Sequence, residues 1–191
     1  MINEAHVSIL DFLYLCKNLN ELILDQCSVH FPHPDGLNIN FEPNRILKKL
    51  HVVNKNSPFL SSQHMTLSIA RLIPNLEELV LRPEPNHKGF TLTTIKILSE
   101  LAKLERLEVP VSTEDTVNNM PSFVYVLREF PSLRFLTLSW GASPPEIHQG
   151  RTCRMVDWLE HVLQADNANI YVQICHELHN HVYSNPPLLN G

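Results

Sequence analysis

Five hexapeptides with one apolar pattern recur along the chain at a nearly constant interval. They are Leu19-x-x-Leu22-x-Leu24, Leu47-x-x-Leu50-x-Val52, Leu76-Glu-Glu-Leu79-Val-Leu81, Leu104-x-x-Leu107-x-Val109 and Leu133-x-x-Leu136-x-Leu138. Their central leucines stand at 22, 50, 79, 107 and 136, so the steps are 28, 29, 28 and 29 residues. A repeat of this length is one supersecondary unit that cannot bury its apolar face alone, and stacking on its neighbours supplies the core. The alternation within each hexapeptide predicts a short strand with leucines on one face and variable residues on the other.

The segments between the strands predict helices in register with them. Residues 5–17 put Ile9, Phe12, Leu13 and Cys16 on one helical face. Ser61 or Ser62 can cap a helix with Met65, Ile69, Leu72 and Ile73 inward, stopped at Pro74-Asn75. Thr91 or Thr93 can cap the next, with Leu92, Ile95, Leu98 and Leu101 inward. Pro121 suits the first turn of a further helix facing inward through Phe123, Val124, Leu127 and Phe130. The positions seven and three before the first leucine are apolar in these units: Phe12/Cys16, Ile69/Ile73, Ile97/Leu101 and Val126/Phe130.

The second unit departs from this pattern. Asn40 and Asn44 occupy the corresponding positions, and residues 30–45 carry turn chemistry followed by the alternating Leu37, Ile39 and Phe41. An extended or irregular segment is expected there in place of a helix, with no domain boundary. The polar, proline-rich stretches 82–89, 110–119 and 141–150 are expected as loops along one edge of the sheet. Thr152 can cap a last helix with Met155, Val156, Leu159, Val162 and Leu163 inward, leading to an alternating strand at 170–174. These readings give one unit over residues 1–183, with a terminal, capping repeat at 152–175 and a frayed tail at 184–191.

Composition narrows the setting. A net charge of −5 gives no bulk attraction to nucleic acid or anionic lipid, and no basic stripe exists. The cysteines Cys16, Cys27, Cys153 and Cys175 form no C-x-x-C pair, and Cys16 and Cys27 fall at apolar repeat positions, where thiols act as small hydrophobes. Reduced thiols, the lack of a signal-peptide pattern and of glycosylation sequons, and the lack of any apolar run long enough to span a bilayer predict a cytoplasmic or nuclear protein.

Leu19-x-x-Leu22-x-Leu24-x-x-Cys27-x-Val29 completes the pattern L-x-x-L-x-L-x-x-N/C-x-L, and through it residues 9–175 resemble the leucine-rich-repeat superfamily. The resemblance implies an α/β solenoid of about six repeats, curved, with a parallel sheet on the concave face and helices on most convex segments. Repeat length and helix content are similar to the intracellular subclasses, including ribonuclease-inhibitor-like repeats. Cys27, Pro74-Asn-Leu-Glu-Glu-Leu79 and Phe130-Pro-Ser-Leu-Arg-Phe-Leu136 resemble the repeat region of F-box proteins, which present substrates to a cullin–RING ubiquitin ligase. An F-box is not recognisable among these residues, so the ligase adaptor would be met through a region absent here. The first strand would be a sheet edge, a liability that solenoids cap. Either the chain is a fragment or shortened member, or the helix at 5–17 is the cap.

In each strand the residues between the leucines are expected on the concave face, where a partner protein would bind. They are Glu21, Ile23 and Asp25; Lys49, His51 and Val53; Glu78, Val80 and Arg82; Arg106, Glu108 and Pro110; Phe135, Thr137 and Ser139; and Tyr171 and Gln173. The first row reads Glu21, Lys49, Glu78, Arg106, Phe135, so opposite charges are expected at bonding distance between strands about 4.8 Å apart. Such a row is either a ladder of surface ion pairs or a polar recognition strip. Phe135, Trp140 and Tyr171 add aromatic groups of the kind that anchor interfaces, though Trp140 can equally fold over the repeat edge as core.

Enzymatic chemistry has no support in the sequence. No phosphate loop, dinucleotide fingerprint or nucleophile elbow is present, and Asp157 and Glu160 read as a solvated helix face. Cys175, His176, His179 and His181 have ligand chemistry without the pairing that makes zinc motifs specific, and read as a polar tail; His30 and His33 read as turn residues. No cofactor or metal is expected. The expected function is protein–protein interaction, in its most concrete form substrate recognition for an F-box-type ubiquitin ligase, the alternative being a non-ligase scaffold or inhibitor-like binder.

Overall fold

The computed structural model describes residues 6–25, 27–32, 42–53, 63–82, 89–112, 119–140, 158–159, 161–162, 170–175 and 182–183. Six strands follow one another in a parallel sheet: β2 (Glu21–Asp25), β4 (Lys49–Val53), β5 (Glu78–Arg82), β6 (Arg106–Val111), β7 (Phe135–Trp140) and β8 (Tyr171–Cys175). The two-residue β9 (Val182–Tyr183) pairs antiparallel with β8 beyond it. The sheet is open, with β2 and β9 at its edges. Four helices accompany it: α1 (Ile9–Leu15), α2 (Gln63–Leu72), α3 (Leu92–Leu98) and α4 (Met120–Arg128). Residues 158–159 and 161–162 are helical as well.

The spacing of the leucines becomes the register of the sheet. Leu22, Leu50, Leu79, Leu107, Leu136 and Val172 are successive cross-strand partners. All six are buried, and they share one apolar core with Ile69, Ile95, Phe123 and Leu127 from the helices. The leucine face of the sheet is therefore the helix-covered face. α2 packs on α3 and α3 on α4, so helices and strands advance together.

The backbone repeats as faithfully as the side chains. The carbonyl just before each of β2, β4, β5 and β6 accepts two N–H groups from the next unit, and Arg134 O, before β7, takes Tyr171 N at 2.7 Å. Asn20 O takes Lys48 N and Lys49 N at 2.9 and 3.1 Å, and Lys48 O takes Glu77 N and Glu78 N at 2.7 and 2.9 Å. Glu77 O and Glu105 O repeat the pattern with Glu105/Arg106 and Arg134/Phe135. The two-fold acceptance satisfies backbone donors that would otherwise be stranded at the bend into each strand.

Helix ends follow their sequence signals where these are described. Thr91 caps α3, its Oγ1 accepting from Thr94 N at 3.3 Å. Pro121 lies in the first turn of α4, where its missing N–H costs nothing. The inward residues Met65, Ile69, Leu72, Ile73, Ile95, Leu98, Leu101, Phe123, Val124, Leu127 and Phe130 are buried; Leu92 is half-buried. Ser61, Ser62, Thr152, Met155 and Val156 lie outside the described residues; Leu159 is buried and Val162 half-buried.

Several expectations are corrected. The first helix is shorter than 5–17: His6–Ser8 form a strand, β1, pairing in parallel with β3 (Ser28–His30) in a separate two-stranded sheet. Ile9 and Leu13 are buried and Phe12 half-buried, but Cys16 is exposed, because the helix ends at Leu15 and Cys16 falls at its C-cap. Cys16 is thus not a core thiol, whereas Cys27 is partly buried against the core, its Sγ donating to Asp25 O at 3.2 Å.

Asn44 is a bracket where a lost helix residue was expected. Its Oδ1 accepts from Ile46 N and Leu47 N, both at 2.9 Å, and its own N–H donates to Leu72 O at 2.8 Å. Residues 42–48 form no helix, as expected for the irregular unit, while Leu37, Asn40 and Phe41 lie outside the described residues. The loop expected from Pro110 starts later, since Pro110 and Val111 complete β6. Gly89 is buried rather than looped out, and the buried Phe90 after it bridges to Val111: Phe90 N donates to Pro110 O at 2.8 Å and Ser112 N to Phe90 O at 3.0 Å. The last strand runs one residue later than expected, 171–175.

Among the described residues, no helix is long and apolar enough to cross a membrane.

Candidate functional surface

The face of the sheet opposite the leucines is built by three rows of side chains. The first row pairs Glu21 with Lys49, Lys49 with Glu78, Glu78 with Arg106, Arg106 with Phe135 and Phe135 with Tyr171. The second runs Ile23, His51, Val80, Glu108, Thr137 and Gln173. In the third, Asp25 meets Val53, Val53 meets Arg82, and Pro110 meets Ser139. Parallel pairing carries the 28- and 29-residue steps directly into lateral neighbours, so the sequence brings these residues together as expected.

The charges do not simply alternate along the row. Glu78, its side chain 18% exposed, collects three nitrogens. His51 Nε2 lies 3.1 Å and Arg106 Nε 3.5 Å from Oε1, and Lys49 Nζ lies 3.6 Å from Oε2. Glu21 forms no ion pair with Lys49 among the described residues, against expectation. The partly desolvated carboxylate of Glu78 draws the ammonium more strongly than the exposed one of Glu21 does, because water screens the latter.

A second contact crosses the sheet diagonally. The Arg82 guanidinium holds Glu108 through Nε to Oε1 at 2.5 Å and Nη2 to Oε2 at 3.2 Å. This fork satisfies a carboxylate that is nearly buried in the middle of the sheet. Away from this face, Lys48 pairs with Glu77 at 2.7 Å and Lys96 with Glu129 at 3.1 Å.

The surface has a relief that the sequence alone did not supply. Val80, Glu108 and Thr137 are 4%, 7% and 7% exposed, so they form a floor, with Ser139 and Pro110 buried beside them. Glu21, Ile23, Asp25, Arg82, Arg106 and Phe135 are exposed, and Lys49, His51, Val53, Tyr171 and Gln173 half-exposed. Phe135 meets Tyr171 edge-on, with ring centroids 6.4 Å apart and planes at 63°. Trp140 ends β7, but the position of its side chain lies outside the described residues, as do His176, His179 and His181. No cluster of three or more potential metal ligands occurs among the described residues.

No family model matches the chain, and no curated protein or solved structure matches it significantly.

Proposed function

We propose that the chain is a leucine-rich-repeat solenoid acting as a protein–protein interaction module, and that a partner protein binds on the sheet face opposite the leucines. The observation that carries this reading is the division of the sheet. Every leucine of the repeated hexapeptide strands is buried on the helix side, while the other face leaves Phe135 50% and Ile23 57% exposed among charged side chains. Phe135 adjoins Tyr171 and lies beside Arg106, and aromatic residues and arginine are the groups in which interfaces are enriched. In its most concrete form, the module selects substrates for an F-box-type ubiquitin ligase in the cytoplasm or nucleus. Support for that form is the likeness of Pro74–Leu79 and Phe130–Leu136 to the repeats of F-box proteins.

The test has two arms. Affinity capture with the intact gene product should recover a protein whose retention falls when Lys49 and Arg106 are reversed in charge and Phe135 is changed to alanine, with the melting temperature close to the parent. Recovery of the ligase adaptor with the same bait supports the ligase form. Capture of a partner without the adaptor leaves a scaffold or inhibitor-like binder, and retention unaffected by the three changes sinks the assignment of the face.

A further inference from the structure

We propose that this face takes an extended peptide segment of the partner, crossing the strands, with an acidic side chain four residues from a bulky apolar one. The inference rests on the reading of the face as the partner surface and names the chemistry that the surface accepts.

The chemistry changes from strand to strand more than along any strand. At the β2 edge stand Glu21 and Asp25, both exposed and without an ion-pair partner among the described residues. Centred on β5, the single carboxylate of Glu78 faces two permanent cations, Lys49 and Arg106, with His51 as a third nitrogen. One negative charge against two positive ones leaves a local surplus of positive charge. Arg82 and Glu108 cancel each other and do not alter that balance. Beyond Arg106 come the adjoining rings of Phe135 and Tyr171, which carry no charge. The surface is therefore graded across the sheet from negative through positive to aromatic. A ligand running along one strand would meet only one part of this gradient.

Spacing fixes the pattern. From β5 to the middle of β7 and β8 is two and a half strand intervals, about 12 Å at roughly 4.8 Å each. An extended peptide advances about 3.3 Å per residue and returns to the same face at even separations, so four residues, about 13 Å, match the gap. The acid of the ligand enters between Lys49 and Arg106 and shares them with Glu78. Arg106 Nε lies 3.5 Å from Glu78 Oε1 and its side chain is 49% exposed, so this loosely held guanidinium is open to a second carboxylate from solvent. The apolar side chain four positions away covers Phe135 and Tyr171, and basic residues on the far flank of the acid face Glu21 and Asp25.

Panning a random twelve-residue phage-displayed peptide library against the immobilised 191-residue chain tests this. Enriched sequences should carry aspartate or glutamate four residues from phenylalanine, tyrosine, tryptophan, leucine or isoleucine. A synthetic peptide of that type should bind Arg106→Glu and Phe135→Ala variants roughly ten-fold more weakly, with melting temperatures close to the parent. Replacing the peptide's acid by lysine should recover binding to the Arg106→Glu variant; Arg106→Gln serves for the first comparison if the reversal unfolds. Enriched peptides that lack the spacing yet lose binding with Phe135→Ala overturn the pattern and leave the face reading standing. Failure to enrich, or binding indifferent to both variants, overturns both.

Discussion

Arg82 and Glu108 are joined by a forked, two-bond contact across neighbouring strands, one partner exposed and the other almost fully covered. The asymmetry decides what the pair does. The Glu108 carboxylate has little water of its own, so the guanidinium supplies the hydrogen bonds that the solvent does not. Arg82→Ala should destabilise the fold by about 1–3 kcal/mol, the cost of leaving a covered carboxylate unpaired. The double change Arg82→Met with Glu108→Leu should cost less than Arg82→Ala alone. Urea titrations of the three proteins measure this, and a double variant weaker than the single one would refute the assignment.

Gly89 stands against the backbone of β6 with φ of 80°, a conformation that side chains rarely adopt. A Cβ placed there would lie 2.2 Å from the carbonyl carbon of Val111, and backbone cannot swing aside as a side-chain tip can. Gly89→Ala should cost roughly 2–4 kcal/mol, combining left-handed backbone strain with steric overlap. It should also loosen the Phe90–Val111 bridge, so amide exchange at Phe90 and Ser112 should quicken well beyond that at Leu79. Ordinary stability in the variant would show that the close approach is relaxed at little cost.

The parts of this fold written in the sequence are those that repeat. Leucine spacing gave the strands, their parallel register and the covered face, because each 28- or 29-residue step places equivalent residues side by side. What lay between repeats was less legible. The pairing of β1 with β3 rests on two three-residue strands, His6–Ser8 and Ser28–His30, too short for a periodicity to stand out. The role of Gly89 had a signal, an isolated glycine directly before an aromatic residue and the Thr91 cap, but its meaning required knowing that Val111 approaches. In the candidate surface, the neighbours were legible and the partners were not. Lys49 lies between Glu21 and Glu78 by register, and only burial decides that it turns to Glu78.

Asn44 tests the same lesson in the irregular unit. Its side chain accepts two backbone N–H groups at the entrance to β4, and its own N–H reaches the last residue of α2. Asn44→Ala removes both acceptor contacts and should destabilise by about 1–2 kcal/mol, in the range of a lost helix cap. Asn44→Asp keeps the oxygen acceptor and should recover most of that loss. Thermal melts of the two variants decide it; equal loss in both would mean that the amide nitrogen matters instead.

The division of the sheet into a structural and a presenting face makes opposite demands on neighbouring strands. Leu79 is fully buried at the centre of the core, so Leu79→Ala removes apolar contact and opens a cavity, for an expected loss of about 2–5 kcal/mol. Phe135 is 50% exposed and meets Tyr171 in a single edge-to-face contact, so Phe135→Ala should cost about 1 kcal/mol or less. Binding should rank the two the other way: a Phe135→Ala protein folds normally and loses ligand, whereas Leu79→Ala loses ligand only in proportion to the fraction unfolded. Urea stability and peptide affinity measured on the same two variants separate these effects. A large stability loss from Phe135→Ala would place that ring in the core and remove it from the presenting face.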